Sequence, residues 1–334
     1  MKPQLSLRDG LLALAVVFVW GTNFVVIRLG LNVLPPLFFA TLRFFFVLFP
    51  ACLLLRKPKV SWANLAFYGV AIGAGQFGLL FIAMNGRIPP GLASLVVQMQ
   101  VFFTIGLAMW RTGERIKPHQ LAAFALALAG MGVIAAHSGP QNGHSTTITG
   151  LVLVLLAALS WALGNQAGRE ASTNASVNML AYVVWAALFS VPPLLALSLL
   201  LEGPAAIAAG LAHATPLTWA AVLWQSVGNT MFGYACWAWL LSRYPAATIA
   251  PVSLLVPVFG FGASALLLHE PMPSWKIIAT LLIMGGLAVN LLWVRRGRPK
   301  ADETVLRTVS STERRELERA AGGPTKGEIS GEPI

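Results

Sequence analysis

Ten apolar runs, each long enough to cross a bilayer, follow one another between Gly10 and Val294. A membrane-spanning helix needs about 20 mostly apolar residues, because lipid offers no partner for an unpaired backbone N–H or C=O. The runs lie near residues 10–29, 36–55, 64–85, 90–110, 118–136, 148–168, 178–201, 217–241, 246–268 and 274–294. Charged residues make up 10% of the chain, against roughly 25% in a soluble protein. The expected fold class is an all-α polytopic membrane protein with ten transmembrane helices.

The net charge of +11 invites a nucleic-acid reading, but its distribution argues against one. With the N-terminus inside, the cytoplasmic cations are Lys2, Arg8, Arg56, Lys57, Lys59, Arg111, Arg115, Lys117, Arg169, Arg243, Arg295, Arg296, Arg298 and Lys300. The external set is Arg28, Arg87 and Lys276. This asymmetry is the positive-inside signature. It places both termini in the cytoplasm, as an even number of spans requires. The first run is read as a span and not as a signal peptide: it is long for a signal core and contains Trp20 and Asn23. Cys52 and Cys236 both sit in apolar runs without metal-ligand spacing, and are read as small buried hydrophobes.

The second half echoes the first. Residues 89–135 align without a gap on residues 245–291. Nine of 47 positions are identical, among them Ala123 with Ala279, Gly130 with Gly286 and Glu114 with Glu270. Each half holds five spans. An odd number makes the second half enter the membrane from the opposite side, so the repeat is expected to be inverted, an arrangement suited to alternating access.

Polar side chains inside spans are costly and tend to face protein or a water-filled cavity. The clearest near mid-depth are Gln76, Gln98, Gln100, Gln225, Asn229, Thr230 and Ser253. Amides and hydroxyls of this kind bind an ammonium or a carboxylate without adding charge. The alternative is interhelical bonding worth about 0.6 kcal/mol per bond. Gln98 is preferred over Gln100, since residues two apart on a helix diverge. Asn23 and Asn165, late in the first and sixth spans, are read as gate or structural groups. Arg43 is a cation well inside a span, with no acid at its depth to pair with. It either snorkels to the interface or contacts a substrate carboxylate. Pro251 and Pro257 remove backbone donors and suggest a kinked, cavity-lining ninth span, or a packing kink. Glu114 and Glu270 precede the fifth and tenth spans and are read as helix-end partners for orphan N–H groups. Gly69, Gly73 and the pairs Gly130/Gly132 and Gly285/Gly286 are read as close-packing surfaces. The five histidines fall at span ends or in loops, so no buried proton relay is apparent.

The ordered motifs carry a resemblance. They are Asp9–Leu12 with Val19-Trp20-Gly21-Thr22-Asn23-Phe24, Pro35-Pro36 with Leu42-Arg43-Phe44, and Gly91-Leu92-Ala93-Ser94-Leu95. Gly113-Glu114-Arg115, Ser160-Trp161 with Asn165, and Ala250-Pro251-Val252-Ser253-Leu254-Leu255-Val256-Pro257 complete the set. Over residues 8–296 the chain resembles the EamA-type branch of the drug/metabolite transporter superfamily, and within it is similar to bacterial exporters of cysteine and O-acetylserine. The resemblance implies two inverted five-helix halves, 8–136 and 148–296, around a central cavity. It implies efflux of small amino-acid-type metabolites through the bacterial inner membrane. The segment 297–334 is read as a disordered cytoplasmic tail. The expected substrate-contacting set is Gln98, Arg43, Gln76, Asn229, Thr230, Ser253, Trp161 and Trp20. The expected partners are a small-molecule substrate and the lipid bilayer, without nucleic acid, metal or other cofactor. The tryptophans, with Trp185, Trp237 and Trp239, keep export of aromatic amino acids or drugs open. A membrane-embedded enzyme or a scaffold is the remote alternative.

Overall fold

Short polar and proline signals set where the helices begin. The computed structural model describes residues 5–112, 117–139, 146–172, 177–244 and 246–296. Glu114 and the 297–334 tail lie outside the described residues. Chain contacts divide the protein into Met1–Leu291, which carries everything described below, and Leu292–Ile334. In chain order the helices are α1 (Leu7–Leu31), α2 (Pro36–Leu54), α3 (Trp62–Met84), α4 (Pro90–Arg111), α5 (Pro118–Ala136), α6 (Ile148–Ala171), α7 (Met179–Leu201), α8 (Pro204–Ala212), α9 (Pro216–Leu240), α10 (Pro251–Leu268) and α11 (Ser274–Leu291). Pro36, Pro90, Pro118, Pro204 and Pro216 occupy first-turn positions, where the missing N–H would be an orphan anyway. Ser6 and Ser61 cap α1 and α3, each hydroxyl accepting from the backbone N–H three residues on at 3.2 Å.

Among the described residues nine helices are long and apolar enough to cross a membrane, and ten spans result if α8 and α9 count as one bent unit. The loop expected between the seventh and eighth spans is instead helical. α8 meets α9 at 111°. The ninth span also differs from expectation. Ala246–Ile249 forms a single turn, Ala250–Leu254 a 3₁₀ segment, and regular α-helix starts only at Leu255. Pro251 and Pro257 thus stand at the start of these segments, where a proline removes no needed donor. They do not kink a continuous helix.

Four helices are locally distorted. α3 carries a π-helical stretch at Ala71–Gly78 and α9 another at Trp224–Phe232. α4 is 3₁₀ at Val97–Met99, and α10 opens with the 3₁₀ segment already noted. π-helical insertions are rare and gather at functional sites.

Glycines let the helices approach closely. A Cβ at Gly69 would fall 2.1 Å from the Ala186 carbonyl, and one at Gly73 2.3 Å from Ser190 Cβ, so α3 and α7 pack backbone to backbone. Gly130 and Gly286 play this part between α5 and α11, whereas Gly132 and Gly285 face open space. Two glutamates tie helix ends together. The Glu202 carboxylate accepts from Leu37 N (2.6 Å), Phe38 N (3.1 Å) and Ser198 Oγ (2.6 Å), closing the first turn of α2. Glu270 accepts from Gly91 N at 3.0 Å and pairs with Lys276 Nζ at 2.9 Å. The expected capping role of Glu270 is therefore exercised on α4 and not on the helix that follows it.

Candidate functional site

α1, α3, α4, α6, α9 and α10 converge on a cavity of about 240 Å³. Its polar lining is Asn23, Gln76, Gln98, Gln100, Asn165, Asn229 and Ser253. Its aromatic lining is Trp20, Phe24, Phe77, Trp161, Tyr234 and Trp237. Ile27, Leu80, Val97 and Val256 complete the wall, which among the described residues holds no Asp, Glu, Lys, Arg or His. A site without formal charge is the chemistry a lipid-embedded cavity tolerates at least cost.

The wall is sealed unevenly. Asn23, Phe24, Ile27, Gln76, Phe77 and Leu80 are buried, whereas Gln100, Trp161, Asn165, Tyr234, Trp237 and Ser253 are half-buried. The buried group lies towards the C-terminal ends of α1 and α3. Within the half-buried group Gln100 sits at the middle of α4, and the others lie in the C-terminal halves of α6 and α9 and at the N-terminal end of α10. The cavity thus opens on the side where α6 and α9 end.

Side chains that line the cavity hold one another. Trp20 Nε1 donates to the Asn229 carbonyl at 3.2 Å, and its ring packs on Trp237 and Tyr234 with centroids 5.2 and 5.9 Å away. Asn165 Nδ2 donates to Gln100 Oε1 at 3.0 Å. Gln76 Oε1 is buried and has no hydrogen-bond partner among the described residues.

Of the expected substrate-contacting residues, Trp20, Gln76, Gln98, Trp161, Asn229 and Ser253 share this cavity, joined by Asn23 and Asn165. Pro251 and Pro257 are outside its lining. Gln98 and Gln100 both face it, against expectation. In α-helix residues two apart diverge by about 160°, but the 3₁₀ turn at Val97–Met99 advances about 120° per residue and narrows that to about 120°. Long side chains close the remainder. Phe24, Phe77 and Tyr234 were hidden among apolar neighbours, and nothing in the sequence separates them from core aromatics.

Arg43 and Thr230 lie behind the cavity, not in its wall. Arg43 is fully buried, so it does not snorkel. Its Nη1 donates to Gln225 Oε1 at 2.5 Å and its Nη2 to Thr230 Oγ1 at 2.8 Å. The guanidinium stacks 3.6 Å from the centroid of Phe77, whose ring belongs to the cavity wall. Among the described residues no carboxylate pairs with it. Gln225 Nε2 donates onward to Asn23 Oδ1 at 2.7 Å. The π-helical register of α9 brings Gln225 and Thr230 into this cluster, with Thr230 Oγ1 donating back to the Gln225 carbonyl at 2.9 Å.

The sequence profile of the EamA-like transporter family matches residues 9–136 and again 148–292. The chain belongs to the EamA-like transporter family. It is therefore a multi-pass membrane transporter and not an enzyme. This EamA-like chain is 41% identical over 292 residues to a protein of Escherichia coli (strain K12) named "Probable amino-acid metabolite efflux pump", covering 87% of this chain and 97% of that one. A Salmonella typhimurium protein of the same name is 42% identical over the same shares. A solved crystal structure shares the fold at a TM-score of 0.56 and 21% identity, covering 86% of this chain and 99% of that chain.

Proposed function

We propose that this EamA-like transporter exports small amino-acid-type metabolites, of the cysteine and O-acetylserine kind, across the bacterial inner membrane. The observation that carries this reading is the cavity itself: uncharged, lined by amides and indoles from six helices, and about 240 Å³ in volume. Drug-sized sites run from about 300 to 1,000 Å³, so the cavity suits a smaller solute. The two relatives named as probable amino-acid metabolite efflux pumps, matched over nearly their whole length, support the substrate class and the direction.

The mechanism proposed is alternating access between two inverted five-helix halves, 8–136 and 148–296. Matching distortions support it: a π-helical stretch in the third span of each half, and a 3₁₀ turn in or at the start of the fourth. Distortions repeated at equivalent places give each half the same hinge. With both termini in the cytoplasm, as the Lys and Arg distribution favours, the half-buried rim of the cavity faces inward. The described state then accepts substrate from the cytoplasm, and Asn23, Gln76, Gln98, Asn229 and Ser253 form the contact surface.

Purified protein in liposomes, assayed for uptake of a labelled amino-acid panel with and without a pH gradient, tests this reading. Saturable flux of cysteine-like metabolites is expected. Flux confined to aromatic amino acids would favour the reading in which Trp20, Tyr234 and Trp237 select the side chain. Absence of flux for every amino acid would overturn the proposal.

A further inference from the structure

Arg43, Gln225 and Asn23 form a chain whose hydrogen-bond direction is fixed from one end. Arginine carries donors and no acceptor. Gln225 must therefore present its oxygen to Arg43, as the 2.5 Å contact has it. Its NH₂ is then left for Asn23, which must answer with its own oxygen, at 2.7 Å. Amide orientation is normally ambiguous and is settled by the surrounding network. Here a permanently charged donor settles it twice over. Asn23 stands on the cavity wall with Oδ1 engaged, so its NH₂ is the group left to face the cavity.

We infer that this relay makes Asn23 a fixed donor for a substrate carboxylate, with Arg43 supplying the positive field from behind the wall. The inference deepens the proposed function by naming the recognised group, and it rests on the same cavity. One further observation agrees with it. The Arg43 guanidinium lies against the far face of Phe77, one ring away from the cavity, with no carboxylate to offset it among the described residues. Arg43 is thus a positioning residue, acting through Gln225, while Asn23 makes the contact. Holding the charge one layer back lets the site attract an anion without binding it so tightly that release is blocked.

The test is Gln225→Glu. The introduced carboxylate gives Arg43 a counter-ion, so folding is retained. It cannot donate to Asn23, so Asn23 turns its NH₂ away from the cavity and its oxygen towards it. Binding is read as thermal stabilisation of purified protein by matched pairs: S-methylcysteine against its carboxamide, and 3-mercaptopropionate against 3-mercaptopropionamide. The unsubstituted protein is expected to prefer each carboxylate by at least about tenfold, and Gln225→Glu to lose that preference. Asn23→Ala, a truncation at the cavity wall, gives a second reading that does not depend on the fold of the first. Equal affinity for acid and amide in both pairs with the unsubstituted protein, including binding of none of the four compounds, overturns the inference. So does an unchanged preference in either folded variant. Preference for 3-mercaptopropionate without any binding of S-methylcysteine would support the relay and overturn the amino-acid reading, so the two failures are distinguishable.

Discussion

Gly130 and Gly286 each face the backbone of the other's helix. A Cβ at Gly130 would lie 3.0 Å from the Ala279 carbonyl oxygen, and one at Gly286 2.5 Å from that of Ala123. Both glycines and both alanines are partners in the sequence repeat, so the contact maps onto itself when the halves are exchanged. Such self-complementarity is what a two-fold axis produces at an interface, and it supports the inverted repeat proposed above.

Substitution at these glycines follows from the contact. Gly286→Val and Gly130→Val force side chains into backbone and are expected to cost about 1–3 kcal/mol each. Gly132→Ala and Gly285→Ala meet open space and are expected to be neutral or to stabilise by up to about 1 kcal/mol. Thermal melting in detergent measures all four. Equal melting temperatures across the set would contradict the packing described.

Arg43 grips two acceptors on different residues while stacking on Phe77. A lysine ammonium cannot reproduce that fork or the stacking. Arg43→Lys is expected to lower flux at least about tenfold and to lower the melting temperature, although the charge is kept. Full flux at normal stability would mean that charge alone matters here.

Glu270 and Glu202 allow a comparison at two helix ends. Glu270→Gln leaves Lys276, 4% exposed, without its counter-ion, whereas Glu202→Gln strands no charge. The loss in stability is expected to be larger for Glu270→Gln, on the order of 3 kcal/mol, against about 1 kcal/mol for Glu202→Gln. Lys276→Met combined with Glu270→Gln is expected to recover part of the deficit. Neither glutamate lines the cavity, so the pH profile of flux is expected to stay unchanged in both variants. A pH response lost with either glutamate would make it a coupling residue.

Orientation is testable at exposed ends. Gly203 has φ +83° and would be strained by a side chain, so Ala212 is the better external site. In a protein lacking Cys52 and Cys236, Ala212→Cys is expected to react with an impermeant thiol reagent in intact cells. Lys59→Cys is expected to stay unlabelled until the cells are opened. The opposite pattern would reverse the topology.

The spans were legible because mean hydropathy over some twenty residues depends on composition and not on tertiary detail. α8 was not, since nine residues of alanine-rich helix carry no span-length signal. The cavity's polar residues were legible for a related reason: an amide inside a span must find a partner or a wet surface, so Gln76, Gln98 and Asn229 stood out. Their azimuth was not. The 3₁₀ turn in α4 shifts facing by tens of degrees and brings Gln100 into the wall, whereas Arg43, on regular α2, is held behind it by Gln225 and Thr230 from the π-helical stretch of α9. No periodicity rule anticipates such turns, because they depart from the regular 3.6-residue repeat on which periodicity is read.

Flux is proposed to pass through this cavity. Counterflow of labelled cysteine in proteoliposomes, comparing the unsubstituted protein with Gln98→Trp, tests it most directly. Gln98 is on the wall, and an indole there would occupy much of a cavity of about 240 Å³. Exchange accelerated by internal substrate is expected in the unsubstituted protein, with at least about a tenfold loss in Gln98→Trp at a melting temperature within a few degrees. Undiminished counterflow in a folded Gln98→Trp protein would contradict it.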